Sequence, residues 1–90
     1  MLVYKFDILK ALHEAGYNTN VLRVSKMLSE STLQKLRDGK IIRPESINRI
    51  CYMLDLQPGN LFKYVEDEEE IAEFKEQLSK HKKFQKGERK

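Results

Sequence analysis

The sequence predicts an all-α protein, with five helices closing one small core over residues 1–65 and a sixth helix in a charged extension over residues 66–90. Three observations predict it. Apolar residues recur three and four apart in one segment after another. Ser, Asn, Gly and Pro stand where such segments should start and stop. Finally, no segment shows the sustained alternation of a strand, and no internal repeat is present.

Ninety residues with 40% apolar content allow one core and not two. A chain this short is marginally stable, so a second copy of itself is an expected partner. The formal charge is +3, and its distribution says more than its total. Residues 1–65 hold 10 basic groups against 6 acids, whereas residues 66–90 hold 7 against 8. Between Arg23 and Arg43 stand six basic groups and only two acids, Glu30 and Asp38. Such a patch suits a polyanion, and it suits an ordinary solvated face equally well.

The first helix is read over residues 4–15, where Ile8, Leu12 and Ala15 share a stripe with Leu9 beside it and Gly16 ends the pattern. Asn18, Thr19 and Asn20 offer three candidate caps for a second helix of about two turns, with Val21, Leu22 and Val24 directed inward. Met27, Leu28 and Ser29 must then turn the chain, with Leu28 filling the elbow. Ser29 caps the third helix, Glu30 to Asp38, in which Leu33 and Leu36 fall on one face and Gly39 provides the stop. Two short helices joined this tightly cross steeply, as a helix-turn-helix requires.

Ile41 and Ile42 follow as anchors, and Pro44 opens a fourth helix, Glu45 to Leu54, carrying Ile47, Ile50, Cys51 and Leu54. Pro58 and Gly59 break it, and a fifth short helix returns Leu61, Phe62 and Val65 to the core. The extension opens on EDEEE and closes on basic residues, an order that complements a helix dipole, so a sixth helix is expected over residues 67–82, fraying beyond Lys83. Its stripe of Ile71, Phe74 and Leu78 either packs on its own domain or pairs with the same stripe of a second chain.

The outer side of the third helix carries Ser31, Thr32, Gln34, Lys35 and Arg37, small or cationic groups that can reach phosphates and base edges. Little else in the chain suggests chemistry. Cys51 lies in an apolar helical pattern, and His13 and His81 are distant in sequence with no metal-ligand spacing, so the sequence offers no nucleophile with its base. An enzyme is therefore not expected, nor a cofactor, metal or small-molecule ligand. No run approaches the length of a spanning helix and the N-terminus lacks a signal-peptide core, so a cytoplasmic protein with no membrane partner is expected.

Three stretches in this order, LSESTLQKLRDGK (28–40), the spacing from Leu22 to Ser29, and INRICYMLDLQPGNLFKYV (47–65), resemble the Cro and phage-repressor type of helix-turn-helix, also called XRE-like. The resemblance covers about residues 5–65. It implies a repressor-like five-helix domain of the compact kind found in bacterial, phage and plasmid regulators. Thr19 and Asn20 match the position that hydrogen-bonds a phosphate and sometimes a base. Glu30, Ser31 and Lys35 match base-reading positions, and Lys40 and Arg43 match backbone-contacting residues after the recognition helix. Arg23 stands where the family has a small residue and Met27 where it has glycine, and both positions bear on the angle between the two helices.

The function expected is a sequence-specific DNA-binding regulator, a repressor, that inserts helix 30–38 into the major groove of double-stranded DNA. The residues expected at the DNA are Thr19, Asn20, Ser29, Glu30, Ser31, Thr32, Gln34, Lys35, Arg37, Lys40 and Arg43. Glu30 has two readings, an acceptor for a cytosine amine or a partner of its own helix N-terminus. The competing class is a protein-interaction module on the same scaffold, with the acidic run at residues 66–70 mimicking or masking nucleic acid.

Overall fold

A computed structural model describes residues 1–80. The chain runs β1 (Leu2–Tyr4), α1 (Ile8–Glu14), α2 (Thr19–Val24), α3 (Glu30–Arg37), α4 (Pro44–Leu54), α5 (Pro58–Leu61), β2 (Phe62–Tyr64) and α6 (Glu68–Ser79). The helical expectation holds in broad terms, but an all-α class does not, because β1 and β2 form an antiparallel pair. The register sets Tyr4 opposite Phe62, and their rings lie 5.1 Å apart between centroids. A directly opposed aromatic pair of this kind is what stabilises so short a ladder.

The ladder alters two elements. Tyr4 is in a strand, so the first helix starts only at Ile8, with the Asp7 carboxylate accepting from the Lys10 amide at 3.1 Å. Phe62 continues from α5 as extended chain, so it reaches the core from β2. Lys5 N–H donates to the Leu61 carbonyl at 2.8 Å, carrying the pairing past the end of β1.

The core consists of Ile8, Leu12, Leu22, Leu28, Leu33, Leu36, Ile42, Ile50, Met53 and Leu61. Of the three α2 residues expected to face inward, only Leu22 does. Val24 is 71% exposed and Val21 is also exposed, since a helix of six residues has one narrow inner edge and Leu22 occupies it. Likewise Ile42 is buried whereas Ile41 points outward. Met53, absent from the expected stripe, joins Ile50 as the buried pair of α4. Ile47, Cys51 and Leu54 pack partly buried at its margin.

Each cap has a local cause. Asn18 accepts from Val21 N–H at 2.9 Å and so opens α2. Arg43 is extended, as a residue before proline prefers, and Pro44 takes the first position of α4. Gly39, at φ 72, leaves α3 in the left-handed region that glycine occupies without a Cβ clash. The expectation of a sixth helix over residues 67–82 is met from Glu68 to Ser79; residues 81–90, where fraying and His81 fall, lie outside the described region.

Tyr4 ties the sheet to the loop after α3, its hydroxyl donating to the Lys40 carbonyl at 2.7 Å. Burial raises the pKa of this phenol above 10.0, partly opposed by a backbone hydrogen bond from Ile42. The folded state thus keeps the proton at a pH where the unfolded chain loses it, so stability falls as pH climbs above 10. Tyr4→Phe should lower stability by about 0.5–1.5 kcal/mol near neutrality through the lost hydrogen bond. It should also flatten the decline of the urea midpoint that sets in as pH rises past 10.

Candidate nucleic-acid interface

The α2–turn–α3 unit rests on the core through Leu22, Leu28, Leu33 and Leu36, which leaves the opposite side of α3 in solvent. Ser29 opens α3. Its hydroxyl accepts from Thr32 N–H at 3.2 Å, donates to Thr32 Oγ1 at 3.0 Å and lies 3.2 Å from Ser31 Oγ. Ser29 is therefore taken up as a cap. Ser31 and Lys35, one turn apart, are exposed, and Thr32 is half-buried between them and the helix start.

The N-terminal residues of α4 face this side of α3 across a cleft of about 370 Å³. Ser29, Ser31, Thr32, Lys35 and Arg43 all line it, so five residues expected at the DNA converge on one concavity. Arg49 lines it too, and sequence reading missed it. Its Nη1 donates to the carbonyls of Lys26 at 2.8 Å and Met27 at 3.0 Å, contacts across more than twenty residues that no local pattern announces.

Other expected residues are placed elsewhere. Thr19 and Arg37 line a separate concavity beside α1, and Thr19 Oγ1 lies 3.3 Å from His13 Nε2. Asn20 is exposed on the first turn of α2. Gln34 is engaged along its own helix, donating to Asp38 at 3.1 Å and accepting from Arg37 at 3.2 Å. Lys40 is exposed just past Gly39.

Glu30 has a partner in the structure that sequence reading did not pair with it. Arg23 Nε donates to Glu30 Oε1 at 2.8 Å, and Arg37 Nη1 lies 3.8 Å from Glu30 Oε2. The departure at Arg23 thus serves as a tie from α2 to the first turn of α3. With both side chains more than half exposed the pair contributes about 0–1 kcal/mol, so it orients more than it stabilises. The second departure also has a counterpart: the left-handed residue of the turn is Lys26, at φ 64, one position before Met27.

With this geometry in place, comparison with known proteins is decisive. The Cro/C1-type HTH DNA-binding domain matches residues 7–67, most of the chain. The chain belongs to that family. No curated protein and no solved structure matches it. As a Cro/C1-type protein it carries a helix-turn-helix DNA-binding domain, with α2 and α3 as the two helices of the motif, and its role is transcription regulation. The match takes in α1 to β2 but begins after β1, so only one strand of the pair falls within the family's span, and α6 lies outside it. Among the described residues no helix is long and apolar enough to cross a membrane, and no cluster of metal-ligating side chains occurs.

Proposed function

We propose that this Cro/C1-type protein is a sequence-specific repressor that inserts α3 into the major groove and acts by occupying a promoter. The observation that carries the reading is the shared cleft, in which Ser31 and Lys35 of α3 stand exposed beside Arg43 of α4. Ser31, Thr32 and Lys35 would read base edges, while Arg43, Lys40 and Arg37 would hold phosphates, aided by the helix N-terminal amides. Thr19 and Asn20, at the start of α2, would take a phosphate on the other flank. Ser29, the cap of α3, and Glu30 and Gln34 within it support these residues, since their polar groups are engaged by neighbouring residues of the chain.

Fluorescence anisotropy on the gene's upstream DNA and on a scrambled duplex, across a salt series, tests this directly. Tighter binding to the upstream DNA is expected, with log Kd rising by about 0.9 per phosphate contact for each tenfold rise in salt. Equal affinity for both would remove the sequence-specific claim. Absence of any salt slope would leave the protein-interaction module as the reading.

Removing the carboxylate that pairs with Arg23 and Arg37 gives a second expectation. Glu30→Ala should tighten binding to both duplexes at low salt by releasing Arg23 and Arg37 toward phosphates. It should change stability by no more than about 1 kcal/mol. Weaker binding confined to the upstream DNA would instead assign Glu30 to a cytosine amine.

A domain of this size covers about half of an operator, so a homodimer on a palindrome is part of the proposal. The stripe of α6 supports it. Phe74 is 41% exposed between Ile71 and Leu78, which are partly buried. On this reading residues 66–90 are an appendage to the DNA-binding domain of residues 1–65. Light scattering should give a dimer that Phe74→Asp converts to monomer.

A further inference from the structure

The turn between α2 and α3 has an unusual construction. Lys26 occupies the left-handed region at φ 64, which glycine enters freely and which asparagine can support with its own short side chain. Lysine has neither advantage. Several of the turn's own hydrogen bonds are long as well. Leu28 N–H donates to the Leu22 carbonyl at 3.3 Å, Met27 N–H to Ser25 Oγ at 3.4 Å, and Ser25 Oγ to the Leu22 carbonyl at 3.4 Å. A turn assembled this way has little of its own to fix its shape.

Arg49 supplies what the turn lacks. One guanidinium nitrogen grips two consecutive carbonyls, those of Lys26 and Met27, at 2.8 and 3.0 Å. A charged donor makes the stronger kind of hydrogen bond, and gripping neighbouring carbonyls fixes the two peptide planes through which the chain enters Leu28 and α3. Arg49 is itself firmly based, because the next residue, Ile50, is buried in the core against which Leu33 of α3 is also packed. The turn is therefore clamped to α4, the helix whose N-cap residue, Arg43, lines the cleft.

We propose that Arg49 is a positioning residue for DNA reading, which holds the glycine-free turn so that Ser31 and Lys35 of α3 and Arg43 of α4 meet one groove in register. The inference rests on the DNA-binding function proposed above. It assigns Arg49 an action through the turn, in contrast to a direct contact between its guanidinium and a phosphate.

The test uses the full chain and two duplexes, one selected by the unchanged protein from a randomised pool and one scrambled. Arg49→Ala should reduce the preference for the selected duplex on the order of tenfold, the effect of misreading about one base pair. Loss of folded protein alone would lower both affinities together and leave the preference unchanged. Lys26→Gly, which makes the left-handed conformation intrinsic, should restore most of the preference in the Arg49→Ala background. Lys26→Ala, which removes the same charge without easing the backbone, should not. Unchanged preference in Arg49→Ala, or no rescue by Lys26→Gly, overturns the inference. So does an equal loss on both duplexes with a shallower salt slope, which is the signature of a phosphate contact. If the unchanged protein selects no sequence, the reading of α3 as a recognition helix fails first and this inference fails with it.

Discussion

Leu33→Ala is expected to lower stability by about 2–5 kcal/mol, the largest loss of any single substitution considered for this protein. Leu33 is 0% exposed and lies on the inner face of α3, packed with Leu22, Leu28 and Leu36 under the helix-turn-helix. Removing its methyls opens a cavity under the helix-turn-helix, on the face through which α3 is held to the core. For a domain of this size the thermal midpoint should fall by roughly 10–30 °C. Because small domains keep only a few kcal/mol in hand, much of the protein should be unfolded at 37 °C. Val24→Ala is the matched control. Its side chain lies in solvent, so its midpoint should stay within about 0.5 kcal/mol of the parent in urea or heat. A large loss at Val24 would restore the inward placement that its sequence position suggests.

Val24 shows where sequence reading stops. Over eleven residues, as in α4, the three- and four-residue spacing selects one face; over the six of α2, Val21, Leu22 and Val24 fit several faces equally well. The elements with chemical punctuation were legible. Ser29 and Gly39 bracket α3, Pro44 opens α4, and Leu28 fills the elbow, each for a local reason that the sequence carries. The two strands were not legible, because three residues are too few to show alternation and each strand exists only through a partner some sixty residues away. The same limit hid Arg49, whose contacts are long in sequence, and the pairing of Arg23 with Glu30, which depends on the crossing of two helices. Within the site the cationic and hydroxyl residues were legible by type and position. Which of them converge on one cleft, and which are taken up internally as Gln34 and Ser29 are, depends on tertiary packing.

Lys35→Ala should weaken binding to the preferred duplex by about 1–3 kcal/mol more than binding to a scrambled one, while leaving stability nearly unchanged. Lys35 sits one turn beyond Ser31 on the exposed side of α3, and its ammonium forms no ion pair among the described residues. It is therefore available to a guanine edge at no cost in internal contacts. Its neighbours behave differently. Arg37 is shared with Gln34 and Glu30, so bringing it to a phosphate exchanges one set of hydrogen bonds for another and its net contribution is smaller. Arg43, the exposed residue that precedes Pro44 at the start of α4, carries no sequence information if it meets only the backbone. Arg43→Ala should weaken both duplexes alike and reduce the salt slope by about one phosphate equivalent. The two substitutions thus separate the parts of the cleft. A selective loss at Lys35 with a uniform loss at Arg43 places α3 in the groove with α4 on its wall. A uniform loss at both would mean that α3 rides on the backbone and reads nothing.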